Sequence, residues 1–262
     1  MTPRFFESRR VLTLLLLAAL AWSLTAVSWR GDLVHSSGFR AIGEIFGAIV
    51  RPELSADTLA LAFRASWTTV AYAAAGMTFA LVIAFPLGVF ASGVLARAAV
   101  PQLAAAVPAR AFLAFFRSVH ELVWAWLFVV ALGLSPVAAV LALGIPYGGI
   151  LGRIYAELLQ DVPQAPIRAL RTAGASEWRI FWHARLPMAL PDMLSYTFYR
   201  FECAIRSSAI MSFIGLGGLG REIQLSLDDI AFGRMWTFLY FLIALVLIVD
   251  LWSTAVRRRL AP

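Results

Sequence analysis

Lysine is absent from this chain of 262 residues, and all 22 of its basic side chains are arginines. A Gly-x-x-x-x-Gly-Lys-[Ser/Thr] phosphate loop is therefore impossible, which excludes ATP hydrolysis by that route. Charge is scarce, at 14% of residues against about 25% in an ordinary soluble domain. The single cysteine, Cys203, excludes an intrachain disulfide and, within an apolar run, reads as a small packing residue. His35, His120 and His183 are scattered and no Asp-x-x-Asp pair occurs. A membrane-embedded enzyme acting on a lipid or isoprenoid phosphate would need a metal-ligand or acid/base constellation, and none is legible. There is also no fixed-period repeat, no low-complexity tract and no Ser/Pro/Gly-rich linker to divide the chain, so one domain over 1–262 is expected.

What is present is apolar: 61% of residues are hydrophobic and the mean hydropathy is +0.81. That composition places the chain in a membrane. A spanning helix needs about 20 apolar residues. Six spans are expected, at 11–29, 69–95, 119–134, 137–155, 188–215 and 236–256, giving an all-α integral membrane protein with about six transmembrane helices. The third and fourth are separated only by Ser135 and Pro136 and read as a tight helical hairpin. Arginine placement sets the orientation. With the N-terminus in the cytoplasm, 14 arginines fall inside, Arg110, Arg117, Arg153 and Arg185 among them, and 6 outside, and Arg200 and Arg206 lie within the fifth span. Both termini are thus expected on the cytoplasmic side of the inner membrane. The first span begins like a signal peptide, with Arg9 and Arg10 before a Leu/Ala run and Ala19-Leu20-Ala21 as a cleavage-like site. Its apolar run continues to Trp29, past signal length, so a retained anchor is expected.

The net charge of +7 raises nucleic acid as a partner. A nucleic-acid binder needs a basic face on a soluble scaffold, whereas these arginines bracket apolar runs and suit membrane lipid headgroups. Residues 30–65 form an outer-face segment in which Ile42, Ile45, Phe46, Ile49 and Val50 repeat near helical spacing. This is either an interfacial helix or an ordinary packed loop helix.

Loop 156–187 contains an amphipathic, arginine-rich stretch beginning at Pro163. Ile167, Leu170 and Ala173 share one helical face while Arg168, Arg171 and Thr172 point elsewhere. Gly174 permits a sharp bend. A second helix starts at Ser176, with Glu177 in its first turn and Trp178, Phe181 and Trp182 at helical spacing, and Leu186-Pro187 closes the module. A short rigid unit tied to two spans can convert motion of a soluble partner into reorientation of the bundle.

Here the sequence resembles the permease subunits of bacterial ATP-binding-cassette importers. Their loop reads Glu-Ala-Ala, three residues, Gly, nine residues, Ile, one residue, Leu-Pro. Ala169, Gly174, Leu186 and Pro187 keep that spacing, while Arg168 replaces Glu, Leu170 replaces the second Ala and Ala184 replaces Ile. Arg117 to Ala125, Leu132-Gly133-Leu134, Ile145 to Gly152, Tyr199 to Ser208 and Ile214 to Gly220 are similar to the phosphonate importer permeases among them. The resemblance implies a type I ABC importer permease fold with a cytoplasmic coupling helix. Arg168, Ala169, Arg171, Gly174, Ala175, Trp178, Leu186 and Pro187 would meet the ATPase. It also implies a second permease copy, identical or paralogous, two nucleotide-binding ATPase subunits that hold ATP and Mg, and an extracytoplasmic substrate-binding protein. The chain itself would carry no cofactor or metal. The implied cargo is phosphonate, with phosphite, a phosphate ester and methionine as alternatives. A passive channel, the remaining class, would need no coupling module.

Charges at membrane depth are costly and mark either pairing or a pathway. Glu121, Arg200, Glu202 and Arg206 are such charges. Glu202 and Arg206, four apart, can pair on one helix face, and Glu121 is a second candidate partner for Arg206. The pathway reading has Arg206, Ser207 and Ser208 offer transient contacts to a phosphorus oxyanion, joined by His120, Glu121, Arg200 and Glu202. Asp250 pairs either across helices or with Arg257. Gly215, Gly217, Gly218 and Gly220 satisfy a dinucleotide-binding pattern, but they follow a spanning helix and lack a βαβ unit. They are expected to form a flexible outer gate.

Overall fold

The computed structural model describes residues 5–26, 36–96 and 99–260, together with the side chains of 9–26, 38–96 and 103–259. Every regular element among them is helical. The contacts form two compact units, 1–47 and 48–262. The first holds α1 (Phe5–Ala26) and α2 (Ser36–Gly47). Helix α1 covers the described part of the expected first span, and residues 27–29 lie outside the described residues. On α2, Arg40 pairs with Glu44 one turn on, at 3.0 Å.

In the second unit a 3-10 turn (Ala48–Val50) precedes α3 (Ala56–Ser92), whose N-cap Ser55 accepts a hydrogen bond from the Thr58 amide. Its 37 residues extend about 55 Å, well beyond a hydrocarbon core of about 30 Å. Helix α3 thus starts thirteen residues before the expected span 69–95: its first turns, cut by Asp57 and Arg64, look polar in a hydropathy window but are capped as helix. The third span needs a larger correction. The stretch before 119 is itself helix, α4 (Ala99–Ser118), and it meets α5 (Glu121–Leu132) at a bend of 85°. Twelve residues reach only about 18 Å, too short to cross alone, so α5 can belong to a crossing only as one arm of the bent pair with α4. Pro108, Arg110 and Arg117 had hidden α4 among the loops.

Helix α6 (Pro136–Asp161) is capped by Ser135. The loop then carries α7 (Gln164–Thr172) and α8 (Glu177–Ile180), and a π turn (Phe181–Arg185) runs directly into α9 (Leu186–Met211). After a 3-10 turn come α10 (Leu219–Asp228) and α11 (Phe232–Leu260). Among the described residues four helices are long and apolar enough to cross a membrane, and there are up to six crossings if each bent pair counts as one.

Small residues set the packing. Gly76, Ala80, Ala84 and Gly88 on α3 lie one turn apart and face Gly144, Gly148 and Gly152 on α6. A Cβ on Gly76 would lie 2.9 Å from that of Leu143, and one on Gly88 would lie 2.8 Å from the Gly152 carbonyl. Higher residues on α3 meet higher residues on α6, so the two run parallel, with the close backbone approach that membrane helices use in place of a hydrophobic driving force. Helix α4 runs the other way: Leu113 fills the space beside Gly152, and Phe116 and Arg117 lie beside Gly149. Helix α9 is likewise antiparallel to α6, through Tyr147–Ser207 and Tyr155–Thr197. Helix α11 follows α3, since Gly233 meets Glu53 and Phe241 meets Phe63.

Candidate functional site

At the end of the bundle where α3 and α6 finish, α7 closes in a Schellman turn. The Ala175 amide donates to the Leu170 carbonyl at 3.0 Å and the Gly174 amide to the Arg171 carbonyl at 3.1 Å. Gly174 has φ +84°, a left-handed conformation that disfavours any side chain, and nothing lies within 4 Å of where its Cβ would be. The bend is thus intrinsic to the backbone. Ile167, Ile180 and Phe181 are fully buried beneath the module. Arg168, Ala169, Arg171, Gly174 and Pro187 are exposed, and Ala175 and Leu186 half-buried. Trp178 and Trp182 keep 58% and 43% of their surface exposed while packing edge to face at 5.7 Å. An aromatic pair left this bare has the composition of a protein interface.

Two charged contacts hold the module. Arg171 forks onto the buried Glu177, Nε to Oε1 at 2.9 Å and Nη2 to Oε2 at 3.0 Å. This hydrogen bonding, with the attraction of the carboxylate, raises the guanidinium's already high pKa. Buried Arg185 donates to the Leu159 carbonyl at 3.1 Å, fastening the π turn to the last turns of α6. Sequence reasoning saw Glu177 only as a first-turn residue and Arg185 only as a topology marker. A buried partner six residues away across a glycine turn leaves no periodic trace. Leu186-Pro187 does not close the module as expected. It forms the first turn of α9, where proline is tolerated, so α8, the π turn and α9 run on as one continuous rod.

A polar belt lies half-way along the bundle. The 85° bend sets His120 as N-cap of α5, its Nδ1 accepting from the Leu122 amide at 3.3 Å, with Nε2 3.6 Å from Glu121 Oε2. Ser207 on α9 donates to Glu121 Oε1 at 2.7 Å, and Tyr147 on α6 lies 3.0 Å from the same hydroxyl. Serine has one proton, so Tyr147 is the donor in that second bond. Arg200 sits 5.7 Å from both the Tyr147 and Tyr196 ring centroids, and its Nε donates to the Tyr196 hydroxyl at 3.2 Å. The belt thus joins α5, α6 and α9. An arginine at a helix centre costs about 2.5–3.5 kcal/mol on insertion scales, so such groups face water or protein.

The remaining expected residues separate. Glu202 is buried and pairs with Arg257 of α11 at 2.8 Å. Arg206, its expected partner, is exposed and bonds the Cys203 sulfur at 3.4 Å. The i, i+4 relation put both on one helix but could not see the second helix. Arg257 is thereby committed to Glu202 and not to Asp250. Buried Ser208 donates to the Thr69 carbonyl at 3.1 Å, so it ties α9 to α3 and does not join Arg206 and Ser207 in one cluster.

At the opposite end from the α7–α8 module, the glycine run is a packed turn, not the flexible one expected. Gly215, Gly217 and Gly218 all have positive φ. A Cβ on Gly218 would lie 2.7 Å from Thr69 Oγ1, and one on Gly220 would collide with the Ala209 carbonyl. Thr69, fully buried, accepts from the Leu219 amide at 3.0 Å, and Ser212 donates to Ser208 at 2.8 Å, closing the knot.

With this geometry in hand, comparison with known proteins is informative. Residues 86–262 match the family described as "Binding-protein-dependent transport system inner membrane component". The chain is 32% identical over 231 residues to the phosphite transport system permease protein PtxC of Stutzerimonas stutzeri, covering 85% of this chain and 78% of that protein. It is 31% identical over 222 residues to the phosphate-import permease protein PhnE of Mycolicibacterium smegmatis, covering 85% of this chain and 41% of that protein. Among solved structures, a chain of the MetNI methionine ABC transporter in an inward-facing conformation superposes with a TM-score of 0.69 at 23% identity, over 80% of this chain and all of that one.

Proposed function

The chain belongs to the inner membrane components of binding-protein-dependent transport systems, with the type I importer permease fold, and from that premise we propose that it carries a phosphorus oxyanion into the cytoplasm. The relatives named for phosphite and phosphate support that class of cargo. Phosphite or phosphonate is the favoured member, delivered on the outer face by a binding protein. Two permease copies and two ATPase subunits complete the machine, and the ATPases hold the ATP and Mg. Both termini and the 162–185 loop face the cytoplasm.

The coupling module carries this reading. Its exposed Trp178, Trp182 and Arg168 form the docking face, its Gly174 turn sets the angle, and its weld to α6 and α9 transmits the stroke. A partner that closes on ATP would move the ends of α6 and α9 together and thereby the polar belt at Tyr147, Arg200 and Ser207. The Glu121 carboxylate, linked through Ser207 to the Tyr147 that Arg200 faces, adds a negative charge to the belt and keeps the attraction for an anion weak enough to let it leave. The glycine turn at 215–220 forms the outer closure.

Gly174→Pro tests the coupling. Pro cannot take φ +84° or donate the amide that closes the turn. Uptake in proteoliposomes is expected to vanish while ATP hydrolysis loses its response to the loaded binding protein, with membrane insertion intact. Undiminished uptake would remove the coupling role.

A further inference from the structure

Arg117, Arg153 and Arg200 come from three different helices, α4, α6 and α9, yet line one open cavity of about 360 Å³, together with Tyr196 and Glu157. A neighbouring cavity of about 390 Å³ shares Arg117, Arg153 and Glu157 and adds Arg110. Sequence reasoning had placed Arg110, Arg117 and Arg153 in cytoplasmic segments as topology markers. The structure keeps Arg110 at that end of the bundle, beside the end of α3, but sets Arg117 and Arg153 deeper. The Arg117 amide lies 3.0 Å from where a Cβ on Gly149 would be, and Gly149 is mid-way along α6. Arg153 is one turn further on, about 12 Å before the end of that helix. Arg200 is level with Tyr147. The arginines therefore descend from mid-bundle toward the end that carries the coupling module.

Their engagement is uneven. Arg110 Nε is spent on the Ala91 carbonyl at 2.8 Å, at the end of α3. Arg153 Nε is held by Glu157 at 2.8 Å, with both side chains about half exposed. Arg117 is exposed, at the mouth of both cavities. Four guanidinium groups and one carboxylate make the groove strongly attractive to anions, and three charges at this depth are tolerated only on a water-filled face. The volume is many times the roughly 30 Å³ that a water occupies, enough for a hydrated phosphorus oxyanion.

Resting on the importer reading above, we propose that the groove of Arg117, Arg153 and Arg200 is the inner staging site for the cargo oxyanion, with Glu157 as its built-in competitor. Planar guanidinium forks suit phosphorus oxyanions. A site that released nothing would stall transport, and Glu157 prevents that by reclaiming Arg153 as the anion leaves. The same fork chemistry would take the phosphate of a lipid headgroup, so the test must separate the two sources.

The experiment uses the full complex of permease, ATPase and binding protein in proteoliposomes, with phosphite and methylphosphonate as probes, and compares preparations that retain equal amounts of ATPase subunit. Arg117→Gln with Arg153→Gln is expected to lower uptake per ATP hydrolysed by about tenfold or more, with the lysine variants recovering part of the loss. Glu157→Gln releases Arg153 without removing a cation. It is expected to lower the concentration of inorganic phosphate that half-inhibits uptake by about threefold or more. Unchanged uptake per ATP in the arginine variant, or unchanged phosphate inhibition in Glu157→Gln, overturns the site. So does a defect that follows the phosphatidylglycerol content of the vesicles in place of the phosphite concentration, because the groove then holds lipid. Transport of neither probe by the wild-type complex removes the cargo reading itself, whereas normal transport untouched by the arginine variants removes only the groove.

Discussion

Arg257 neutralises a carboxylate, Glu202, that is 9% exposed and anchored on a different helix. Removing one member of such a pair leaves an uncompensated charge and typically costs about 3–5 kcal/mol when both are buried. Arg257 keeps 28% of its side chain exposed, so about 2–3 kcal/mol is the better expectation for Arg257→Ala. Thermal unfolding of the detergent-solubilised protein should show it as a clear fall in Tm, largely restored by adding Glu202→Gln. Arg206→Ala, at an exposed position, should stay within about 0.5 kcal/mol. The opposite ranking would favour the i, i+4 pairing that the sequence suggests. At this scale the sequence named which residues carry charge at depth, and spacing along one helix could not name their partners. The Arg171–Glu177 fork makes the same point, because a six-residue separation is bridged only by the Gly174 turn.

Among the elements, the seam between α3 and α6 is the most demanding. Gly152 has Leu113 side-chain atoms and the Ala84 carbonyl within 3.3 Å of where its Cβ would stand, so three helices meet there. Gly152→Val is expected to cost about 1–3 kcal/mol through overpacking and to lower folded yield in fluorescence-detected size exclusion. Gly220→Ala, facing the Ala209 carbonyl, should be worse, because a backbone atom has nowhere to move. The spacing of Gly144, Gly148 and Gly152 is a legible small-residue signal in the sequence. Its partner row on α3 mixes alanine with glycine and is lost among 37 apolar residues. Helix α4 shows the converse failure. Its arginines argued for a loop because hydropathy cannot distinguish a charge facing solvent in a segment from one facing a cavity inside the bundle.

For the whole molecule, the bare Trp178–Trp182 pair stands at the start of the helix that continues into α9. Large exposed aromatics are frequent interface anchors, and truncating one commonly costs 2 kcal/mol or more of binding. Trp178→Ala should therefore weaken ATPase association about thirtyfold, seen as loss of the ATPase subunit on purification, with the permease still inserted and folded. Retention of the ATPase at wild-type levels would place the docking face elsewhere on the module.

Composition alone determined that this protein lives in a membrane, is built of helices and has no phosphate loop of its own, because hydrophobic length and the absence of lysine are properties of the chain and not of its packing. The spacing of Gly174 and Leu186-Pro187 likewise located the turn and the start of α9 in the loop that resembles the importer motif, since a left-handed turn and a first-turn proline are local conformational requirements. Only the tertiary structure decided that α4 is a helix meeting α5 at a sharp bend, that Glu202 belongs to Arg257, and that Arg117, Arg153 and Arg200 open onto one groove. Those facts depend on which helix lies beside which, and that is set by close-packed small residues tens of positions apart, where periodicity along the chain carries no information.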